Sequence, residues 1–410
     1  MSYQRITQCR ICGNSELVEV LDLGEQALTG VFPSSASEQV PTMPLVLVKC
    51  HGNDSCCHLL QLAHTFDLSQ LYGENYGYRS RLNGHIESHL KHTVEYIESI
   101  ISLGGEHLVL DIGSNDGTTL GCYKRPLKHR VGIDPTANKF AHYYPSDTKF
   151  IAEFFSKETY TKHYKDIKAT VITAFSMFYD LEDPVSFAKD VADILDSQGI
   201  WVLEQSYMPT MLQKLSYDTI CHEHLEYYGL RQIKWIMDKV GLDIIDVSFN
   251  ELNGGSVRVT VAHKSYQGEV EREKVQCVLR EEAQYKTLAP FKEFAYLVRK
   301  AADDLFKKLQ KLKSESKRVV AIGASTKGNV ILQYCRIDDS LLDVVGEVNE
   351  NKYQKFTPGS LIPIQPEDVV LRETPDYLLI LPWHLWRFFE NNHKFSSFKL
   401  LYPVPISSRQ

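Results

Sequence analysis

The chain has 410 residues, with 45 Lys or Arg against 52 Asp or Glu and a formal net charge of −7. That length is more than one hydrophobic core usually serves, so two or three domains are expected. The acidic balance leaves no basic surface for nucleic acid or an anionic membrane, which excludes those partners and favours small molecules. No apolar run reaches membrane-spanning length, and the first twenty residues are polar and charged throughout, without the apolar core of a signal peptide. A soluble, cytoplasmic protein is expected, and monomer and homo-oligomer are equally compatible with the sequence.

Five of the nine cysteines fall within the first 57 residues. In a reducing compartment such clustering favours metal over disulfides. Cys9-Arg-Ile-Cys12-Gly13 is a turn that lets two thiolates reach one tetrahedral ion, and a zinc site then needs a second pair. Cys50 with Cys56 or Cys57 supplies it, and His51 and His58 are possible substitutes. Cys57 is favoured, because Cys57 to Leu62 continues as a strand that would anchor it. Residues 1–65 therefore read as a small module holding structural Zn2+ on Cys9, Cys12, Cys50 and Cys57, since so short a segment rarely sustains its own core.

The stretch Leu71 to Ser80 follows, with Tyr76 and Tyr78 among glycines and polar residues. A flat apolar face with a hydroxyl suits a polyol in a cleft. Ile86, Leu90, Val94, Ile97 and Ile101 then fall at helical spacing. Next comes V-L-D-I-G-S-N-D-G, Val109 to Gly117, and a second apolar run that ends on Asp134. This is a strand, tight turn, helix and strand, in which the glycine allows close backbone approach and the second acid is placed for ribose hydroxyls. The turn lacks the three glycines of G-x-G-x-x-G, and it carries Asp111, Asn115 and Asp116. Those acids would repel a pyrophosphate but suit a cationic ligand bearing an amino acid. The pattern resembles the first motif of class I S-adenosylmethionine (SAM) methyltransferases, which implies that Asp111, Gly113, Asn115 and Asp134 hold SAM.

Lys149 to Ile151 reads as a short strand, and Phe155 follows where the third strand would meet an adenine. Thr170 to Phe175 and Gly199 to Glu204 read as strands around a helix over Phe187 to Leu195. Such alternation predicts a parallel, doubly wound sheet whose ligands collect at the carboxyl ends, here Ser176 to Asp180 and Glu204 to Tyr207. Ser216 to Tyr228 is dense in groups that exchange protons near neutrality. His222-Glu223-His224 lacks the H-E-x-x-H spacing of a metal site, so a general base with an orienting partner fits better. Asn253-Gly-Gly-Ser256 leads into Val257 to Val261, read as a last antiparallel strand closing the sheet. A SAM-binding domain over 66–265 is the result.

Residues 266 to 315 are charged and helical, with Leu305, Leu309 and Leu312 as a core-facing stripe. Arg318 to Asn329 is a second strand and small-residue turn, in which Lys327 and hydroxyls replace the acids. Lys327 and Asn329 at a helix start suit a phosphate, although the turn is not the ATP-binding G-x-x-x-x-G-K-[ST]. Val344 to Val348 and Asp376 to Leu381 extend a second α/β domain over 266–410.

The order of cysteine pairs, SAM loop, His-Glu-His, Asn-Gly-Gly-Ser and C-terminal Gly-Ala turn resembles the SAM-dependent sugar C-methyltransferases of deoxysugar pathways. Among them are the C-3 methyltransferases of nucleotide-linked 4-keto-6-deoxyhexoses. The resemblance implies an α/β protein with a small zinc-binding N-terminal domain, a central class I SAM methyltransferase (Rossmann-like) domain and a C-terminal Rossmann-like α/β domain that helps hold the nucleotide sugar. It implies that His224 is the base, that Glu223 is the acid beside it and that Tyr76 faces the sugar, with Tyr78 and His222 as further substrate contacts. The chemistry is consistent: a hydrogen on carbon 3 beside a 4-keto group is acidic enough for an enzymic base once the enolate is stabilised. Three residues depart from the family pattern. Cys221 stands where the family's segment begins with tyrosine, and Ser176 and Asp180 stand where Asn and His are common. The enolate donor is then expected from Tyr76, Tyr179 or Tyr227. An O- or N-methyltransferase would need no carbanion, and a non-enzymatic SAM-fold module is disfavoured by the intact Gly113, Asn115 and Asp134.

Overall fold

The computed structural model describes residues 3–66, 79–82 and 84–406. The N-terminal strands are β1 (Tyr3–Arg5), β2 (Leu17–Ala27), β3 (Thr42–Cys50), β4 (Leu60–Leu62) and β5 (His64–Phe66). β2, β3 and β4 form an antiparallel meander, and β1 pairs with β5. Both faces of β3 are buried. Met43, Leu45 and Leu47 on one side join the largest core cluster, while Val46 and Val48 on the other pack with Ala63.

The central sheet takes β6 (Leu108–Ile112), β7 (His129–Ile133), β8 (Thr148–Ile151), β9 (Ala169–Phe175) and β10 (Leu195–Ser206). Beyond a two-residue strand β11 (Glu226–Tyr227), the chain returns to it with β12 (Leu242–Asn250) and β13 (Ser256–His263). The order is β12-β13-β10-β9-β6-β7-β8, with β10 to β8 parallel and β13 antiparallel to both its neighbours. The predicted last strand is therefore last in the chain but interior in the sheet. The edge is β12, which the sequence reading did not anticipate. Helix Gly84–Ile100 buries Val94 and Ile97 against Val109 and Val171, as its apolar spacing predicts. The helix predicted over Phe187 to Leu195 spans Pro184–Ile194, because Pro184 opens its first turn and the Asp183 side chain accepts the Ser186 N–H. Proline has no N–H to lose at that position.

In the C-terminal part, helix Ala289–Ser314 buries a stripe that includes Phe291, Val298, Leu305, Leu309 and Leu312. The sheet there is β14 (Val319–Ile322), β15 (Val345–Glu347), β16 (Ile364–Pro366), β17 (Tyr377–Ile380) and β18 (Lys399–Leu401). Its order is β16-β15-β14-β17-β18, all parallel, with the crossover at β14 marking a ligand-binding crevice at the carboxyl ends. The long helix packs its stripe into the same cluster as Leu21, Leu45 and Leu47, so the first and last parts of the chain share one core. No helix among the described residues is long and apolar enough to cross a membrane.

One pairing crosses the domains. β11 adds antiparallel to β4, opposing Glu226 with Gln61 and Tyr227 with Leu60, which extends the N-terminal sheet to β11-β4-β3-β2. The segment that carries the histidines is thus anchored in the cysteine-bearing module.

Candidate active site and metal centre

The cysteine cluster forms because the Cys9 to Gly13 turn closes on itself: Gly13 N–H donates to the Cys9 carbonyl at 2.9 Å, with Gly13 at φ 72°. Only a residue without Cβ takes that conformation without strain. Cys9, Cys12, Cys50 and Cys57 place their Sγ atoms within 4.8 Å of one another. Four sulfurs around one zinc stand about 3.8 Å apart, given Zn–S near 2.3 Å, so the donor set fits the metal. Cys56 lies outside the group, with its Sγ 3.4 Å from His58 Nδ1, and neither His51 nor His58 joins it. Asn14 Nδ2 donates to Cys50 Sγ at 3.3 Å, a contact that favours the thiolate.

At the carboxyl ends of β6, β7, β9 and β10 lies a cavity of about 220 Å³. Gly113 (φ 71°) and Asn115 (φ 48°) turn the loop beneath it. The Asn115 N–H donates to Asp134 Oδ2 at 2.9 Å, and Asp134 Oδ1 accepts from the N–H and hydroxyl of Thr136, which fixes the acid at the wall. Asp111 is 2 % exposed and accepts from Thr173 Oγ1 at 2.5 Å; burial pushes its carboxyl up to about 7. Glu204 adds to the acidic lining, and its carboxylate is held by His89 Nε2 at 2.5 Å and Asn250 Nδ2 at 3.0 Å. Phe155 lines the cavity with its ring 5.0 Å from that of Phe187. With Asp180, four acids line the cavity, and these and the aromatic wall suit a ligand with cationic centres and an adenine ring.

The loop has a support that the sequence reading missed. Tyr144 donates to the Asn115 carbonyl at 2.9 Å and bonds Ser114 Oγ at 2.7 Å. A Cβ on Gly117 would stand 2.8 Å from the Tyr144 ring, so Gly117 is required for this seat. Nothing in local spacing connects residues 27 positions apart, and only a closed loop reveals the pair.

His224 lies beyond Tyr179, whose ring is 4.3 Å from its own and which adjoins the cavity residue Asp180. Its Nδ1 lies 2.9 Å from the Thr219 carbonyl, which can only accept. Nδ1 therefore carries the proton, and Nε2 keeps its lone pair in the neutral ring. Burial pushes the imidazole down to about 4, and the Lys327 charge lowers it further against the opposing Thr219 contact. Burial likewise raises the carboxyl of Glu223.

Three predicted substrate contacts are placed differently. His222 is 0 % exposed, with Nε2 on the Met43 carbonyl at 3.1 Å and its ring edge-on to Phe66, so it packs the domain junction instead of facing either cavity. Asn329 is buried with Nδ2 donating to the Thr29 carbonyl at 2.7 Å, and Ser325 Oγ caps the helix start by accepting the Gly328 N–H. Lys327 reaches out of that turn to donate to the carbonyl of Asn253, a residue that lines the cavity, at 2.8 Å. Tyr76 and Tyr78 lie outside the described residues. Two residues not anticipated converge here: Trp383 Nε1 donates to Asp218 Oδ2 at 3.1 Å, and His384 stands with its Cβ 3.5 Å from where Gly254 would carry one. Aromatic residues at a strand end carry no periodicity, so nothing in their spacing marks them.

Sheet order and cavity define a class I SAM-dependent methyltransferase. Family comparison divides it into three: residues 9–72 match "Putative zinc binding domain", residues 83–247 match a methyltransferase domain, and residues 251–405 match the C-methyltransferase C-terminal domain. The chain is 26% identical over 386 residues to C-methyltransferase NovU of Streptomyces niveus, covering 92% of this chain and 90% of that one. Together these matches show a SAM-dependent methyltransferase, similar along its length to C-methyltransferases with a zinc-binding N-terminal domain. Among solved structures, magnesium protoporphyrin IX methyltransferase (ChlM) from Synechocystis PCC 6803 with bound SAH matches 48% of this chain and 92% of its own at 14% identity and TM-score 0.35. The YcgJ protein from Bacillus subtilis matches 42% and 99% at 14% identity and TM-score 0.32.

Proposed function

We propose that the acceptor is a nucleotide-linked 4-keto-6-deoxy sugar, methylated at C-3 in a branched deoxysugar pathway of the cytoplasm. The observation that carries this reading is the fixed tautomer of His224: a half-buried neutral imidazole whose Nε2 lone pair is free of the proton that Thr219 holds on Nδ1. A carbon acceptor makes the strongest demand for a base, since its C–H proton must leave before the carbon can take the methyl. SAM, when bound, supplies the methyl electrophile. Asp134 and Phe155 are assigned to its ribose and adenine, and Asp111, Gly113 and Asn115 to the rest of its seat. His224 takes the proton, with Glu223 as the acid beside it and Tyr76 assigned to the sugar. The crevice at the carboxyl ends of β14 and β17 is assigned to the nucleotide.

The test is mass spectrometry of reactions with SAM and dTDP-, GDP- and CDP-linked 4-keto-6-deoxyhexoses, with His224→Ala in parallel. A gain of one methyl mass that disappears in the variant is expected, with the new carbon fixed by NMR. Methylation that survives in His224→Ala would instead indicate an oxygen or nitrogen acceptor.

A further inference from the structure

An enolate needs more than a base: charge accumulates on the carbonyl oxygen as the proton leaves, and a donor already in place there is commonly the largest contribution to catalysis. At position 221 the side chain is a buried thiol, a weak donor whose pKa burial pushes well up. Tyr227 is 5 % exposed, with its hydroxyl enclosed, so it does not open onto the acidic cavity. Neither of these two groups offers a strong donor to the acidic cavity.

Lys327 is placed to do so. It begins on a turn of the C-terminal domain, yet its Nζ ends against the carbonyl of Asn253, a residue that lines the SAM cavity together with Leu252. That bond occupies one of three ammonium donors, and no other hydrogen bond to it is formed among the described residues. Burial works against its charge and pushes its pKa down, and Asp218, 2 % exposed and held by Trp383, is the largest contribution in the ammonium's favour. On the other side its charge reaches the His224 ring. His384 packs on Gly254 within the same field, and Lys327 lowers its protonation as well. One cation therefore sits on the carbonyl of a cavity-wall residue, with Asp218 and the base both within reach of its charge.

We propose that Lys327 is a catalytic residue that holds the oxyanion formed when His224 deprotonates the substrate. This rests on the carbon-acid reading above. In the step, the C–H bond beside the carbonyl breaks and its proton goes to His224 Nε2. The bonding pair forms the C=C bond, and the C=O π pair moves onto oxygen, where the Lys327 ammonium meets it. When the methyl arrives on carbon, the C=O bond re-forms and the ammonium is released unchanged.

The experiment compares wild type, Lys327→Met and Lys327→Arg in D2O without SAM, following deuterium uptake beside the carbonyl of dTDP- and GDP-linked 4-keto-6-deoxyhexoses. Methylation kinetics, SAM affinity, melting temperature and competition by dTDP and GDP are measured alongside. Lys327→Met is expected to slow both exchange and kcat by ~10²–10³-fold. SAM affinity, melting and nucleoside diphosphate competition are expected to stay near wild type, and Lys327→Arg to recover part of the exchange. The acid limb of the residual rate should also move upward, since the charge that lowers His224 is gone. Wild-type exchange with a raised KM and weakened nucleoside diphosphate competition would make Lys327 a phosphate ligand and overturn the proposal. So would early melting with loss of SAM binding in both variants, which would make it structural. Absence of exchange and product in the wild type would instead remove the sugar reading, and this proposal with it.

Discussion

Arg10, between the first two cysteines, stands with Nε 3.7 Å from Oε1 of Glu226, two residues beyond His224. Both side chains are buried, at 4 % and 0 % exposure. The same guanidinium donates to the Leu62 and His64 carbonyls at 2.7 and 2.9 Å and to Thr65 Oγ1 at 3.0 Å. The metal knuckle and the histidine segment are therefore clamped by one side chain. Burial pushes the Glu226 carboxyl well up and Arg10 is the main charge opposing that, so removing either partner of the buried pair costs up to about 3–5 kcal/mol. Arg10→Ala should melt markedly earlier and lose methyl transfer, and Arg10→Lys should not rescue it, because a single ammonium cannot span the fork. Arg10→Ala/Glu226→Gln should recover part of the loss. Thermal melts of the three variants decide this.

Metal retention should separate the two adjacent cysteines. Cys57→Ser is expected to lower zinc content well below one per chain, whereas Cys56→Ser should keep it, since only Cys57 lies in the cluster of four. Chelation of the wild type should also loosen the 222–228 segment through β4 and β11, seen as faster amide exchange there. Equal zinc loss in both variants would contradict the assignment.

The acid side of the rate profile reports on His224. Burial, aided by Lys327, holds its imidazole at about 4, so the ring is already neutral at pH 6 and activity should fall only as pH drops through about 4. An exposed histidine would give a limb near 6.5. The pH dependence of kcat/KM, with stability checked at each pH, distinguishes them.

Ligand binding at the acidic loop should release a proton. Asp111 sits at about 7, raised mainly by burial. A cation brought beside it favours the carboxylate, so SAM should bind more tightly as pH rises through 7. Calorimetry in buffers of different ionisation enthalpy measures the proton, and Asp111→Asn should abolish the dependence.

Much of this was readable one segment at a time. The run Val109 to Gly117 with Asp134 foreshadowed the turn and acid that line the cavity, because a strand, a positive-φ glycine and an acid at the next strand end are local requirements. Four cysteines and their turn gave the metal for the same reason. Helix spacing at Leu90, Val94 and Ile97 reported its own buried face. β12 escaped notice because no turn residue marks its entry beyond Gly241, and pairing in a sheet is set by partners far away in the chain.

By itself, then, the sequence determined the local chemistry: which turns carry acids, which carry thiolates and which elements alternate. Only the tertiary structure decided the partners of each side chain. His222 and His224 are two residues apart and chemically identical, yet one is enclosed against Met43 and Phe66 while the other is fixed by Thr219 beside Tyr179. Lys327, read as a phosphate ligand, instead spans to Asn253, 74 residues away. Burial and opposing charge are properties of the assembled neighbourhood, which linear spacing does not encode.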